Sequence, residues 1–144
     1  MMVKFKKLRP SASLPTYVDG GAGGADLYAD IEQPYTLEPG CRILMPTGLA
    51  SEMSPGTCAM ILARSGWALK DGVTVLNAPG LIDQNFSGEW GVILINLGDK
   101  PVVIRPGYRM AQAVFIQVRQ EMLFEVETLR ETERGSGAFG STGR

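Results

Sequence analysis

Short apolar runs separated by turn residues recur along the chain, and this pattern constrains the fold more than any other feature. The clearest runs are residues 41–46, 57–62, 91–97, 102–104 and 111–118. Pro and Gly stand between them, at residues 38–40, 54–56, 97–101 and 105–107, where the chain must reverse. Turns about 8–12 residues apart are typical of antiparallel sandwiches and barrels. The sequence therefore predicts an all-β fold.

One short helix is the only other element that the sequence predicts. Residues 65–70 follow an apolar run, with Ser65 placed to cap the first turn and Asp71-Gly72 placed to end the last. The chain has 144 residues, which is the usual length of one domain. Its 18 Gly and 9 Pro suit many turns and short strands better than long helices.

The composition changes near the C-terminus. Phe139 is the only large apolar residue from Arg130 onward, so this segment lacks the side chains that a packed strand needs. Glycine and serine are frequent in it, which favours a flexible conformation. We therefore divide the chain into a β-rich domain, residues 1–129, and a flexible C-terminal arm, residues 130–144.

The arm contains glycines with the spacing of a phosphate-binding P-loop, at residues 135–142. Ser141 stands at the lysine position of that motif and no strand leads into it, so a P-loop is not expected. Arg134 and Phe139 instead suit an arm that folds over a nucleotide. A guanidinium forms paired hydrogen bonds with phosphate, and a phenyl ring stacks on a base.

Histidine is absent, which excludes Ser-His-Asp and Cys-His catalysis and His-ligated zinc. The net charge of −1 argues against nucleic acid as a partner, because nucleic-acid-binding surfaces carry an excess of Lys and Arg. Cys41 and Cys58 are too few for a disulfide framework, and we expect both to be reduced and buried, as in a cytoplasm. We expect neither a signal peptide nor a membrane span, since no apolar stretch is long enough.

Three polar positions are candidates for chemistry, and each has a plainer alternative. Ser65 stands at the start of the helix, where the dipole favours anions; alternatively it is a simple cap and Arg64 a solvated charge. Asp83 follows two apolar residues and is either a partly buried base or the side chain of an Asx turn. Asp26 is either an outer-shell partner of magnesium or a turn aspartate. The local pattern leaves these alternatives open.

Five motifs, taken in their order along the chain, resemble those of the trimeric deoxyuridine triphosphatase (dUTPase) family over residues 4–143. They are Gly24-Ala25-Asp26-Leu27, Arg64-Ser65-Gly66-Trp67-Ala68, Gly80-Leu81-Ile82-Asp83 continuing to Gly88-Glu89, Gly107-Tyr108-Arg109-Met110-Ala111-Gln112, and residues 134–143. Each motif alone is weak. Their joint occurrence, in one order and in a chain of this length, carries the resemblance.

The resemblance implies a jelly-roll-like β-barrel or sandwich that assembles as a homotrimer with active sites shared between subunits. It implies a cytoplasmic enzyme, bacterial or of an infected cell, that hydrolyses dUTP to dUMP and pyrophosphate with Mg²⁺. This reaction would remove dUTP and supply dUMP for thymidylate synthesis. Asp83 would be the general base that activates the water attacking the α-phosphorus, and Asp26 would hold the magnesium ion through water.

The resemblance also implies the substrate contacts. The phosphates would be bound by Arg64, Ser65, Gly66 and Gln112. The uracil edge would be read by Asn77 and by the backbone of Leu81 and Ile82. Phe86, at a position where tyrosine is usual, would pack under the deoxyribose, and Gly91 stands near the substrate where a longer side chain is common. The arm would close last, with Arg134 on the γ-phosphate, Phe139 stacked on uracil, Ser141 and Thr142 on phosphate oxygens, and Gly140 beside them.

Two other functions are compatible with the same fold. The related dCTP deaminases share a similar Arg-Ser pair and Ile-Asp pair, but residues 91–96 here lack the acidic residue that deamination requires. A regulatory or binding trimer, with hydrolysis secondary, is the other alternative. The presence of Asp83, Arg64, Gln112 and Phe139 favours catalysis.

Overall fold

The computed structural model describes residues 2–138. In it, strands form at the apolar runs and turns form at the Pro-Gly pairs. Within that range the chain forms one helix and eleven strands. They are β1 (Val3–Lys7), β2 (Ala25–Tyr28), β3 (Tyr35–Leu37), β4 (Arg42–Pro46), β5 (Leu49–Met53), β6 (Thr57–Leu62), α1 (Ser65–Asp71), β7 (Val73–Val75), β8 (Gly80–Asp83), β9 (Gly91–Asn96), β10 (Val102–Ile104) and β11 (Arg109–Gln117). The all-β prediction with one short helix is confirmed.

Antiparallel pairing joins the strands into sheets with many long-range connections. The largest has four strands in the order β2-β11-β6-β8, and a three-stranded sheet has the order β4-β9-β7. Two further pairs, β1-β5 and β3-β10, complete the arrangement. Because β11 lies between β2 and β6, segments that are far apart in the sequence become neighbours across it.

The core lies between the two larger sheets. It contains Leu27 of β2, Leu94 of β9 and Met110 of β11 in one buried cluster. Alternate residues of β9 are buried, as expected for a strand with one face toward the core. Each fully buried Leu or Met stabilises the fold by about 1.5–3 kcal/mol, so strand register is firmly set.

Two local predictions were wrong. Ser65 is the first residue inside α1 rather than its cap; Arg64 is the N-cap residue and makes no capping hydrogen bond through its side chain. The helix ends as predicted, with Gly72 at φ 69° and its N–H donating to the carbonyl of Trp67. Both cysteines are free, but only Cys58 is buried, whereas Cys41 is exposed. Cys41 directly follows the Pro-Gly turn before β4, which places it outside the core.

Beyond β11 the described chain, residues 118–138, contains no strand or helix, only a turn near its end. This segment begins earlier than the change in composition at Arg130. It exposes several large apolar side chains: Met122 (81%), Leu123 (92%), Phe124 (75%) and Leu129 (86%). No helix within residues 2–138 is long and apolar enough to span a bilayer.

Candidate active site

The central strand β11 brings three of the sequence motifs together. Gln112 pairs with Asp26 of β2 on one side and with Leu62, the last residue of β6, on the other. Arg64 follows two residues after Leu62, between β6 and α1. Gly24 lies close against Gln112: a Cβ there would stand 3.2 Å from the Gln112 Cβ. The pairing register thus makes a single polar cluster of residues from the first, second and fourth motifs.

Asp26 is the hub of this cluster. Its carboxylate is buried, with the residue only 4% exposed, and it accepts hydrogen bonds on both oxygens. Arg64 Nε donates to Oδ1 at 3.2 Å, Gln112 Nε2 donates to Oδ1 at 3.3 Å, and Arg109 Nη1 donates to Oδ2 at 3.2 Å. Two guanidinium groups face one carboxylate, so the cluster keeps a net positive charge and favours an anion.

A cavity of about 280 Å³ opens beside the cluster, which we call the anion pocket. It is lined by Arg64, Ser65, Gly66, Trp67, Lys70, Asp71 and Gln112. The structure therefore brings together all four residues predicted to bind phosphate through the second and fourth motifs. Lys70 and Asp71, from the end of α1, add one positive and one negative charge to the wall, so the positive charge of the cluster is retained.

Arg109 is a cluster residue that the sequence reasoning missed. In a regular strand, residues three positions apart point to opposite faces, so Arg109 and Gln112 are not expected to meet. The pairing of β11 with β2 shifts register between Arg109 and Ala111, and this irregularity turns both side chains toward Asp26. The bulge also buries two consecutive residues of β11, Met110 and Ala111.

A second, smaller cavity of about 50 Å³ lies between β8 and β9, and we call it the strand pocket. Four of the residues predicted to contact uracil or to stand near it line this cavity: Asn77, Leu81, Ile82 and Gly91. Apolar side chains of Ile61, Val75 and Val92 complete the wall. A narrow pocket whose polar surface comes from one side-chain amide and from the strand backbone suits a flat base that is recognised by hydrogen bonds along its edge.

Asp83 ends β8, the strand that forms the strand pocket, and its side chain is exposed. It lines a third cavity, of about 320 Å³, together with Cys58, Gln84 and Asn85. Cys58 is its neighbour in register on β6. Burial, and then the charge of Asp83, raise the pKa of the Cys58 thiol above its usual value. The thiol therefore stays protonated near neutral pH and does not compete as a nucleophile.

The anion pocket and Asp83 lie at opposite ends of β6. Gln112 pairs with Leu62 and Asp83 pairs with Cys58, four residues away along the same strand. At about 3.3 Å per residue this places Gln112 and Asp83 roughly 13 Å apart along β6. The two groups do not meet within one chain.

Two further predicted residues lie apart from these clusters. Phe86 is 45% exposed on the loop after β8, with its ring over Gly88. Arg134 is exposed, and its Nε donates to the carbonyl oxygen of Gly137 at 2.9 Å in the tail. The remaining arm residues of the prediction lie outside the described part of the chain: Phe139, Gly140, Ser141 and Thr142.

Asp26 is also the residue that the family resemblance implies for magnesium, which it would hold through water. Within residues 2–138 no group of three or more His, Cys, Asp or Glu side chains stands together as a metal site. Asp26 is a single carboxylate, and Arg64, Arg109 and Gln112 already donate to it. Its Oδ2 accepts only one of these bonds and keeps a lone pair for a water molecule. These residues fit a hydrated Mg²⁺ held mainly by the phosphate oxygens of a substrate.

The fold and the clusters define an all-β protein with an anion pocket beside α1 and a strand pocket between β8 and β9. The family model described as dUTPase matches residues 11–143. The deoxyuridine 5'-triphosphate nucleotidohydrolase of Chlamydia pneumoniae is 49% identical over 143 residues, which cover 99% of each chain. The enzyme of the same name from Hydrogenobaculum sp. (strain Y04AAS1) is 48% identical over 143 residues, again 99% of each. The chain belongs to the dUTPase family of nucleotide hydrolases and is an enzyme.

Solved structures show the same jelly-roll-like fold. A Staphylococcus bacteriophage 80alpha dUTPase with dUPNHPP superposes with a TM-score of 0.86, at 24% identity and 99% coverage of each chain. A dUTPase from phage phi11 of S. aureus, described for its structural Mg(II) ion, gives a TM-score of 0.80 at 19% identity, over 89% of this chain and 98% of that one.

Proposed function

We propose that this protein hydrolyses dUTP to dUMP and pyrophosphate by attack of water on the α-phosphorus, with Asp83 as the general base. The observation that carries the proposal is the placement of Asp83 at the end of β8, directly after the residues that line the strand pocket. A uracil held in that pocket directs its sugar and α-phosphate along the strand toward an exposed carboxylate. A carboxylate base suits a chain that has no histidine.

The proposed step balances as a hydrolysis. Asp83 accepts a proton from water as the water oxygen bonds to the α-phosphorus, and the bond to the bridging oxygen between the α- and β-phosphorus breaks. Pyrophosphate leaves, and dUMP remains as a precursor for thymidylate synthesis. The anion pocket, through Arg64, Ser65, Gly66 and Gln112, holds the phosphate chain and stabilises the charge that develops on the leaving group.

Magnesium enters this proposal with the substrate. When bound to the phosphate oxygens, Mg²⁺ neutralises part of their charge and orients the chain for attack. Asp26 would accept a hydrogen bond from one of its water ligands through the free lone pair of Oδ2. Arg64 and Arg109 would hold the carboxylate in place for this contact.

The active sites are proposed to form between subunits of a homotrimer. The family resemblance implies that Gln112 contacts the α-phosphate region, where Asp83 would activate water, yet the two residues lie roughly 13 Å apart along β6 of one chain. A second copy that presents its Asp83 to the anion pocket of the first resolves this separation. Assembly would also cover the apolar side chains of Leu123, Phe124 and Leu129, which are three-quarters or more exposed in a single chain.

A panel of nucleotides tests the proposed activity. With Mg²⁺ present, we expect rapid release of pyrophosphate from dUTP and much slower release from dTTP, dCTP and UTP. Absence of turnover with dUTP would overturn the proposal. Equal turnover of dTTP and dCTP would remove the base specificity that we assign to the strand pocket, and equal turnover of UTP would remove the sugar specificity expected from Phe86. Ammonia release from dCTP would indicate deamination, which the lack of an acidic residue in β9 disfavours.

The C-terminal arm is proposed to close over the bound nucleotide. A chain stopped before Arg134 is expected to keep its fold, because the described chain after Gln117 contributes no strand. Its kcat/KM for dUTP is expected to fall by about a hundredfold or more, since the phosphate and base contacts of Arg134, Phe139, Ser141 and Thr142 are lost. Kinetics and thermal melting measure the two effects separately.

A chain lacking only Arg144 serves as the control and should retain its activity. If the shorter chain melted at a clearly lower temperature than this control, the arm would be a structural element instead of a closing segment.

A further inference from the structure

An arginine outside all five motifs is joined to the loop that carries Phe86. Arg9 lies just beyond β1, and its guanidinium forms a paired interaction with the carboxylate of Glu89, with Nη1 at 3.2 Å from Oε2. Its Nε donates to Oδ2 of Asp30 at 2.6 Å. The Asp30 side chain is only 4% exposed, so Arg9 is held from a buried point. We call Arg9, Asp30 and Glu89 the arginine clamp.

The clamp fixes the C-terminal end of the loop between β8 and β9. Glu89 Oε1 also accepts a hydrogen bond from the backbone N–H of Gly48 at 2.8 Å. The next residue, Trp90, is buried, and its N–H donates to the carbonyl of Leu49 at 2.7 Å. At the other end, β8 pairs with β6 as far as Asp83. Residues 84–88 therefore run between two fixed points.

The ring of Phe86 depends on the position of Gly88, the residue before Glu89. A Cβ at Gly88 would lie 2.7 Å from Cζ of Phe86, so the ring rests on the glycine backbone. Phe86 is otherwise 45% exposed, and its N–H donates to the carbonyl of Asp83 at 3.1 Å. A shift of Glu89 would move Gly88 and with it the surface on which the ring lies.

Without Arg9, the Glu89 carboxylate would keep one backbone donor but lose its partner charge. Its side chain is 31% exposed, and the guanidinium holds the pKa of Glu89 below its usual value. A carboxylate left without that partner lowers its free energy by turning toward water. The loop that begins at Asp83 offers the freedom for such a rotation, because residues 84–88 are exposed or half-buried.

We propose that Arg9 is a positioning residue that sets the discrimination between deoxyribose and ribose by fixing Glu89, Gly88 and hence the ring of Phe86. This inference rests on the proposed function and on the role that the family resemblance implies for Phe86, which is to pack under the sugar of the nucleotide. Arg9 does not touch the substrate. Its effect reaches the site through the backbone of residues 86–89.

The test compares Arg9→Gln with Lys4→Gln, which removes the same charge from the same N-terminal segment. Lys4 pairs with Glu52 at 2.8 Å, but both side chains are exposed, at 62% and 73%. Arg9→Gln is expected to lower the ratio of kcat/KM for dUTP over UTP about tenfold, mostly through KM, because a shift of less than 1 Å suffices for such a loss. The kcat at saturating dUTP should change little, since the backbone of Asp83 on β8 stays paired with Cys58 on β6. Lys4→Gln should leave both values unchanged.

A double variant tests the coupling. In the Arg9→Gln background, Glu89→Gln removes the unpaired charge, so the double variant is expected to discriminate no worse than Arg9→Gln alone. Additive losses from the two substitutions would overturn the clamp. A lower melting temperature with an unchanged dUTP to UTP ratio would also overturn it, because Arg9 would then act on stability only.

Amide hydrogen exchange gives a readout that does not need activity. Arg9→Gln is expected to speed exchange at residues 84–90 and to leave β6 and β11 unchanged. If the native protein failed to hydrolyse dUTP, the proposed function would fall while exchange still reported on the clamp. Unchanged exchange at residues 84–90 would show that Arg9 does not hold the loop.

Discussion

Replacing Asp83 by Asn is expected to lower kcat for dUTP by roughly a thousandfold while the affinity for a non-hydrolysable dUTP analogue changes little. Asn has the same shape as Asp but cannot accept the proton of the attacking water, and a positioned base contributes about 10²–10⁴-fold to such a step. The side chain is exposed and the backbone of β8 is paired with β6, so the fold should not change. Steady-state kinetics and calorimetric binding of the analogue measure the two quantities.

Asp99→Asn is the matched control, because Asp99 is an exposed carboxylate in the turn after β9. It should retain full turnover and binding. Unchanged turnover of Asp83→Asn would place the base elsewhere. Loss of binding together with turnover would mean that Asp83 holds the substrate or its magnesium ion instead of activating water.

Most strands were predictable from the sequence because apolar runs and Pro-Gly turns are local signals. The predicted runs 57–62 and 102–104 coincide with β6 and β10, and the run 41–46 differs from β4 by one residue. Ser65 was misplaced because capping depends on where the first helical turn starts, and here Arg64 takes that position. Cys41 was misplaced because small apolar residues at a strand edge give no signal of exposure.

The clusters of the site were predictable only in part, since they depend on pairing between distant strands. Motif resemblance named Asp26, Arg64 and Gln112, and the register of β11 with β2 and β6 explains why they meet. Arg109 reaches Asp26 only because of the bulge in β11, and Arg9 reaches Glu89 only because the N-terminal segment approaches it in the fold. Neither contact is visible in local sequence. The roles of the arm residues from Phe139 onward stay predictions from sequence.

Mixing two inactive variants is expected to restore activity if the sites form between subunits. Asp83→Asn lacks the base, and Arg64→Gln lacks a guanidinium of the anion pocket, so each alone should turn over dUTP very slowly. A mixed trimer contains some sites that take Asp83 from one chain and Arg64 from the next, both intact. Random assembly gives about one quarter of all sites in this state, so roughly a quarter of native activity should return.

Co-expression of the two variants, followed by size analysis and a dUTP assay, measures this recovery. The control mixes Asp83→Asn with the double variant that carries both substitutions. Every chain in this mixture lacks Asp83, so no activity should return. The roughly 13 Å between Gln112 and Asp83 along β6 is the structural reason to expect recovery in the first mixture. If both mixtures stayed inactive although mixed trimers had formed, Asp83 and Arg64 would have to act from the same chain, and the loop after β8 would need to move far from its observed position to allow it.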